Sequence, residues 1–223
     1  MIEPEELKKI YNANFLQDKD LWSDTDLIHT DKLVIRLVKF FRRKGFLINS
    51  DLNCLDIGCA KGHHTESFRK MGFIAHGLDY SDVAIAKAKV AFPKCDFFLM
   101  DGFNPDLKNK YDLLFFKGFS GMNTHDLEFV SKMIEKYEPF IKPNGCLVIS
   151  YSSNFTGKEN RNETVNWSKK EINILIQKLP NFNFIGLKFF NEGFFYNMLR
   201  YMLRTLKKKK SVFYILLTKN KSF

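Results

Sequence analysis

Three acids and a glycine-rich turn are the residues whose types and order in this chain can hold a nucleoside. Residues Cys54 to Thr65 read C-L-D-I-G-C-A-K-G-H-H-T, a short apolar run that ends abruptly in small residues before a helical pattern begins. Such a run reads as a buried strand feeding a helix through a tight turn. Gly58 and Gly62 suit backbone that adopts unusual dihedrals or comes close to a ligand, and the helix start offers N–H groups to a polar or anionic group. The next apolar run, Phe73 to Leu78, ends at Asp79. A carboxylate there can accept both hydroxyls of a ribose, because its lone pairs lie in one plane. A third run, Asp96 to Met100, ends at Asp101, placed to receive an adenine amino group with Phe103 as an apolar partner. Taken singly, each acid also reads as a helix cap or turn former. Three strand ends in succession point to a nucleoside.

The turn itself has three readings: an ordinary strand-to-helix connection, a dinucleotide site of the G-x-G-x-x-G type, or a different nucleoside site. In the frame from Gly58 the second and third glycine positions hold Ala60 and His63, so the dinucleotide pattern fits poorly. D-I-G-C-A-K-G instead resembles the D-x-G-x-G-x-G signature of class I S-adenosylmethionine-dependent methyltransferases, with Ala60 in place of the middle glycine. F-I-K-P-N-G-C-L-V-I-S resembles the turn and strand that this family often writes as L-K-P-G-G. Asn144 replaces the first glycine there, and Asn also tolerates a left-handed backbone.

The resemblance covers roughly Leu52 to Tyr151. It implies S-adenosylmethionine as cofactor and S-adenosylhomocysteine as product. By position, Gly58, Cys59, Ala60 and Gly62 approach the methionine part, and Asp56 of the signature belongs to the same set. Asp79 and Tyr80 hold the ribose and flank adenine, Asp101, Gly102 and Phe103 meet the adenine edge, and Lys117 lies beside the cofactor through its backbone. The fold it implies is α/β: a doubly wound, mostly parallel seven-stranded sheet with an antiparallel last strand and helices on both faces.

Methyl transfer is a displacement on an already activated sulfonium, so the protein aligns the reactants and removes a proton where one must leave. The segment Phe116 to Gly121 follows the fourth strand, where enzymes of this class usually approach the acceptor. It lacks both the D/N-P-P-Y/F/W sequence of amino-methylating DNA enzymes and the Pro-Cys pair of enzymes that attack pyrimidine C5. A small molecule methylated on O or N is therefore favoured over a nucleic acid. His125, after that loop at the start of a helix, is the candidate base, with His63 and His64 better suited to cofactor-side or capping roles.

The elements that position these residues follow from periodicity. Helices are expected at Glu3 to Phe15 and at Asp31 to Lys44, where Leu33, Val34, Leu37, Val38 and Phe41 keep helical spacing. Ser81 caps a helix from Asp82 to Ala91, Thr124 or Asn123 one through Tyr137, and Ser168 one to Leu179. Further strands are expected at Tyr111 to Phe116, Cys146 to Tyr151, Phe184 to Phe190 and Val212 to Thr218. Strands and helices alternating in this way imply a parallel, doubly wound sheet, with ligands at the carboxyl ends of its strands. The expected organisation is a helical segment over residues 1–50 packed on a methyltransferase domain over 51–223, with an amphipathic basic helix inserted near 193–210.

Composition sets the outer bounds. The 223 residues, 45% hydrophobic and 27% charged, are ordinary for a soluble globular chain able to bury a full core. Cys54, Cys59, Cys95 and Cys146 show no C-x-x-C spacing, so no metal site is expected, and a reduced, cytoplasmic setting is the default. No apolar run approaches the ~20 residues needed to span a bilayer, and the sequons at Asn154, Asn162 and Asn166 read as chance matches. The net charge of +10 is uneven: Ile172 to Phe223 holds ten Lys and Arg against the single acid Glu192. That basic end suits acceptors bearing phosphate, such as activated sugars. The alternative it opens is an RNA- or anionic-membrane-binding protein, or an RNA methyltransferase.

Overall fold

The computed structural model describes residues 4–17, 27–46, 51–153, 155–158, 165–188 and 211–220. The basic segment near 193–210 lies outside them, as do Asn154 and Asn162. Seven strands form one mixed sheet in the order β3-β2-β1-β4-β5-β7-β6, the doubly wound arrangement expected, and β7 runs antiparallel to both of its neighbours. The chain divides into two compact units, Met1–Lys108 and Asn109–Phe223.

In the first unit β1 (Asn53–Ile57), β2 (Ile74–Asp79) and β3 (Asp96–Leu99) pair in parallel, with Ile57 opposite Leu78 and Asp79 opposite Leu99. That register carries Asp79 to the end of its strand, beside the turn that leaves β1. α1 (Pro4–Leu16) packs on α4 (Asp82–Ala91), and α2 (Leu27–Arg43) packs on α3 (His63–Lys70). The heptad-like stripe read from α2 is its buried face: Leu33, Val34, Leu37, Val38 and Phe41 are all in the core. The helix starts four residues before the expected Asp31, and Asp31 itself faces α3. Ser67 Oγ lies 2.6 Å from Asp31 Oδ1, and Lys70 Nζ donates to Asp31 Oδ2 at 2.9 Å.

In the second unit β4 (Tyr111–Lys117) pairs in parallel with β5 (Ile141–Ser153). β7 (Ser211–Lys219) lies between β5 and the edge strand β6 (Phe182–Lys188). Leu114 to Phe116, Leu147 to Ile149 and Tyr214 to Leu217 are almost fully buried and form the interior of this half. β5 starts five residues earlier than the sequence suggests. Tyr111 pairs with Ile141 and Leu113 with Cys146, so Lys142 to Gly145 bulge out of the ladder between two paired stretches. A bulge tolerates Pro143, which has no N–H to donate. Asn144 sits there at φ 62, the left-handed conformation expected of it.

Two further helices, α5 (Leu127–Tyr137) and α6 (Lys169–Gln177), pack on each other. Ser168 caps α6 as expected, and Glu171 completes a capping box. The cap of α5 is neither Thr124 nor Asn123. Asp126 accepts from Phe129 N at 2.9 Å, while Thr124 Oγ1 accepts from Asp126 N at 3.0 Å and closes the turn before it. Asn166 is buried, with Nδ2 donating to Thr156 Oγ1 and Lys158 O at 2.9 Å each, in a setting unsuited to a glycan.

Candidate active site

The glycine-rich turn owes its shape to three left-handed residues at alternate positions: Gly58 at φ 73, Ala60 at φ 48 and Gly62 at φ 81. Ala60 therefore keeps the backbone that a glycine would give, at a steric cost of ~1–2 kcal/mol for an L-residue. Gly62 has no substitute of this kind. A Cβ on it would lie 2.6 Å from Phe97 Cζ and 2.7 Å from Cε1, and the ring cannot easily retreat because it is buried against Cys59, Ile85, Ala88 and Cys95. Gly77 on β2 is constrained by the same ring and by its neighbours, its Cβ position lying 2.8 Å from both Phe97 Cδ1 and Thr65 Oγ1 and 2.9 Å from Cys59 Sγ. Small residues at 62 and 77 thus let α3 and the turn settle onto the sheet.

The direction of the turn's amides decides which ligand it suits. Gly58 N and Cys59 N both donate to Leu78 O at 2.9 Å, Gly62 N donates to Cys59 O at 2.8 Å, and Ala60 N donates to Asp79 Oδ2 at 2.9 Å. These donors are turned inward. A pyrophosphate cradle needs such amides aimed at the ligand, so this turn does not suit a pyrophosphate.

Asp79 is the hub. Its Oδ1 accepts from Ser81 N at 2.9 Å, so one carboxylate ties the turn after β1 to the start of α4. Burial pushes its pKa up, partly opposed by the amides of Ser81, Ala60 and Tyr80. A carboxylate accepts at about four positions, so these amides do not exhaust it.

Helix α1 flanks the same corner. Lys8 Nζ lies 5.3 Å from the centre of the Tyr80 ring. Asn12 Oδ1 accepts from Ser81 Oγ and its Nδ2 donates to Asp82 Oδ1, both at 2.6 Å. Burial, then the negative charges of Glu5 and Asp101, raise the Tyr80 hydroxyl's pKa. Asp101 sits in an Asx turn, its Oδ1 accepting from Phe103 N at 2.9 Å and its Oδ2 from Asn104 Nδ2 at 2.8 Å.

Two residues of the expected set face inward. Asp56 is 2% exposed and accepts from Thr65 Oγ1 at 2.8 Å, bracing β1 against α3 from beneath the turn. Cys59 is buried, and burial together with Asp79 and Asp56 holds its thiol well above the usual range, so it stays protonated and unreactive. Its backbone alone meets the turn.

In the second unit Lys117 ends β4, and the loop beyond leads to His125 before α5. His125 Nδ1 pairs with Glu171 Oε1, a contact across 46 residues of sequence. Glu171 is the residue that sequence reasoning missed. The only local signal was its place in the S-K-K-E capping box, which says nothing of a histidine. The surrounding loop is held from several sides. Trp167 Nε1 donates to Thr124 O at 2.7 Å, Val165 N donates to Asn123 Oδ1 at 2.8 Å, and the Trp167 ring stacks on Tyr151 at 4.1 Å.

Comparison with known proteins places this geometry in context. A family model described as a methyltransferase domain matches residues 48–182, more than half of the chain. No curated protein gives a significant sequence match. Among solved structures, a S-adenosylmethionine-dependent methyltransferase from Clostridium acetobutylicum aligns with TM-score 0.65 at 12% identity, covering 97% of this chain and 98% of its own. The magnesium protoporphyrin IX methyltransferase of Synechocystis, solved with bound SAM, aligns with TM-score 0.66 at 14% identity over 99% of this chain and 98% of its own. A plantazolicin methyltransferase, in complex with a desmethyl analogue and SAH, aligns with TM-score 0.64 at 15% identity over 98% of both chains. The matched domain, the strand order and the glycine-rich turn agree: the chain belongs to the methyltransferase-domain family and is a S-adenosylmethionine-dependent methyltransferase of the class I fold.

Proposed function

We propose that this enzyme methylates O or N of a small molecule, with a phosphate or other anionic group on the acceptor. The observation that carries the cofactor side is the bond from Ala60 N to Asp79 Oδ2, which fixes the turn and the acid as one surface. Two features fit the cofactor to these residues: inward-turned amides and a carboxylate with acceptor capacity to spare. When bound, S-adenosylmethionine supplies a methyl group already activated on a sulfonium.

Gly58, Cys59, Ala60 and Gly62 would follow its methionine end with their backbones. Asp79 would accept a ribose hydroxyl at the position its three amides leave open, with Tyr80 beside adenine. Asp101, Gly102 and Phe103 would meet the adenine edge, and Lys117 would border the cofactor through its main chain. Asp56 acts from beneath by holding α3.

His125 would take the proton that leaves the acceptor. A positioned base of this kind contributes about 100-fold to 10,000-fold in rate. The plantazolicin and protoporphyrin enzymes carry comparable folds for very different acceptors, so the substrate must come from the loops rather than the fold. The basic C-terminal fifth favours an anionic one.

The test is release of S-adenosylhomocysteine on incubation with a panel of hydroxy acids, phenols, primary amines and sugar phosphates, alongside total RNA. Turnover with a low-molecular-weight member, lost in His125→Ala, is expected. Turnover with RNA alone would sink the small-molecule reading.

A further inference from the structure

We infer that Glu171 is a positioning residue of the methyl-transfer reaction, fixing the tautomer and orientation of His125. The inference rests on His125 being the base, as proposed above. One oxygen of Glu171, Oε2, is gripped by Ser168 through its N–H at 2.7 Å and its Oγ at 2.6 Å. The other, Oε1, meets His125 Nδ1. A surface carboxylate is usually a free rotor, but this one is locked by a capping box, and its side chain is only 21% exposed.

The backbone on the histidine side is held as well, by Trp167 Nε1 on Thr124 O and by Asp126 N on Thr124 Oγ1. An imidazole whose Nδ1–H donates to a carboxylate carries its lone pair on Nε2, which is the tautomer a base requires. In the proton-transfer step the acceptor's O–H or N–H bond breaks, the proton goes to Nε2, and the electron pair stays on the acceptor atom. Glu171 then stabilises the imidazolium and keeps its own proton count.

Burial would raise the pKa of Glu171, but the Ser168 hydroxyl and amide and His125 outweigh it, so the net shift is downward and the group stays ionised. The other charged groups on the packed elements are Asp126 before α5, Glu128, Lys132, Glu135 and Lys136 along it, Lys169 and Lys170 on α6 with Lys178 at its end, and Lys158 in the adjoining loop. Asp126 caps α5, and Glu128 is engaged by Lys132 and Lys178.

The variant Glu171→Gln separates positioning from capping, because Gln serves equally well at this position of a capping box. Two measurements are made on the full chain: imidazole nitrogen shifts by NMR, with the His125 signal assigned by its loss in His125→Ala, and pH profiles of kcat/KM with the most active member of the acceptor panel. In Glu171→Gln the Nδ1–H tautomer is expected to give way to a mixture. The acidic limb should move to lower pH, and kcat should fall about 10-fold to 100-fold at a KM changed less than about 3-fold, with thermal unfolding unaltered. A Glu171→Gln protein with wild-type tautomer and wild-type profile overturns the inference while His125 remains the base. Full turnover in His125→Ala removes the base itself, whatever Glu171→Gln does.

Discussion

Replacing Ala60 by glycine should stabilise the protein, and the size of the effect follows from one dihedral. At φ 48 an L-residue costs ~1–2 kcal/mol that glycine escapes. Against this, glycine loosens the unfolded chain, which costs ~0.4–1 kcal/mol. The difference is a net gain of about 0.5–1 kcal/mol, or roughly 1–4 °C in Tm for a chain of this length. Urea unfolding followed by circular dichroism reads it as a higher midpoint at unchanged slope. Gly62→Ala is the counterpart. It adds the same left-handed penalty to ~1–3 kcal/mol of overpacking against the Phe97 ring, less the ~0.4–1 kcal/mol gained by stiffening the unfolded chain, a net loss of about 1–4 kcal/mol. In a Phe97→Leu background the overpacking part should be recovered and the dihedral part retained. Destabilisation of Ala60→Gly by more than about 0.5 kcal/mol would refute the reasoning, since the methyl group would then be packed rather than strained.

Other outcomes follow from the same corner. Because burial raises the Asp79 pKa, the folded chain binds that proton more tightly than the unfolded one. Its carboxylate therefore costs stability as pH rises from the ordinary aspartate range through the raised value. Hydroxyl donors favour the ionised form, so affinity for S-adenosylhomocysteine should rise over that acidic interval and level off above it; a flat profile by calorimetry would exclude Asp79 from the ribose. Asn12→Ala removes two hydrogen bonds of 2.6 Å, and should cost about 1–3 kcal/mol and speed hydrogen exchange across residues 4–16, leaving α6 unchanged. Trp167→Phe strands the carbonyl of Thr124 and should lower stability by about 1–3 kcal/mol, read by denaturant unfolding.

Much of the fold was legible because its signals are local. The stripe on α2, the caps at Ser81 and Ser168 and the apolar run of β4 each depend on neighbours within a few residues. The start of β5 was misread because Pro143 and Gly145 look like a loop, and only pairing with Tyr111 turns Ile141 into a strand residue. The cap of α5 fell two residues beyond Thr124 because Thr124 closes the turn before it. In the site, the order of the turn, Asp79 and Asp101 was readable as strand ends. Tertiary contacts were not. Nothing in the local sequence links His125 to Glu171, Asn12 to Ser81, or Gly62 to the ring of Phe97.

The central claim is that the turn at Asp56 to Gly62 and Asp79 together form a S-adenosylmethionine site. Calorimetric titration of the wild-type chain and of Asp79→Ala with S-adenosylhomocysteine, with NAD as control, tests it most directly. The account predicts one-to-one binding to the wild type, at least 100-fold weaker binding to a folded Asp79→Ala protein by loss of hydrogen bonds worth about 3 kcal/mol, and none of NAD. Equal binding by the two proteins, or a response to NAD alone, would contradict it.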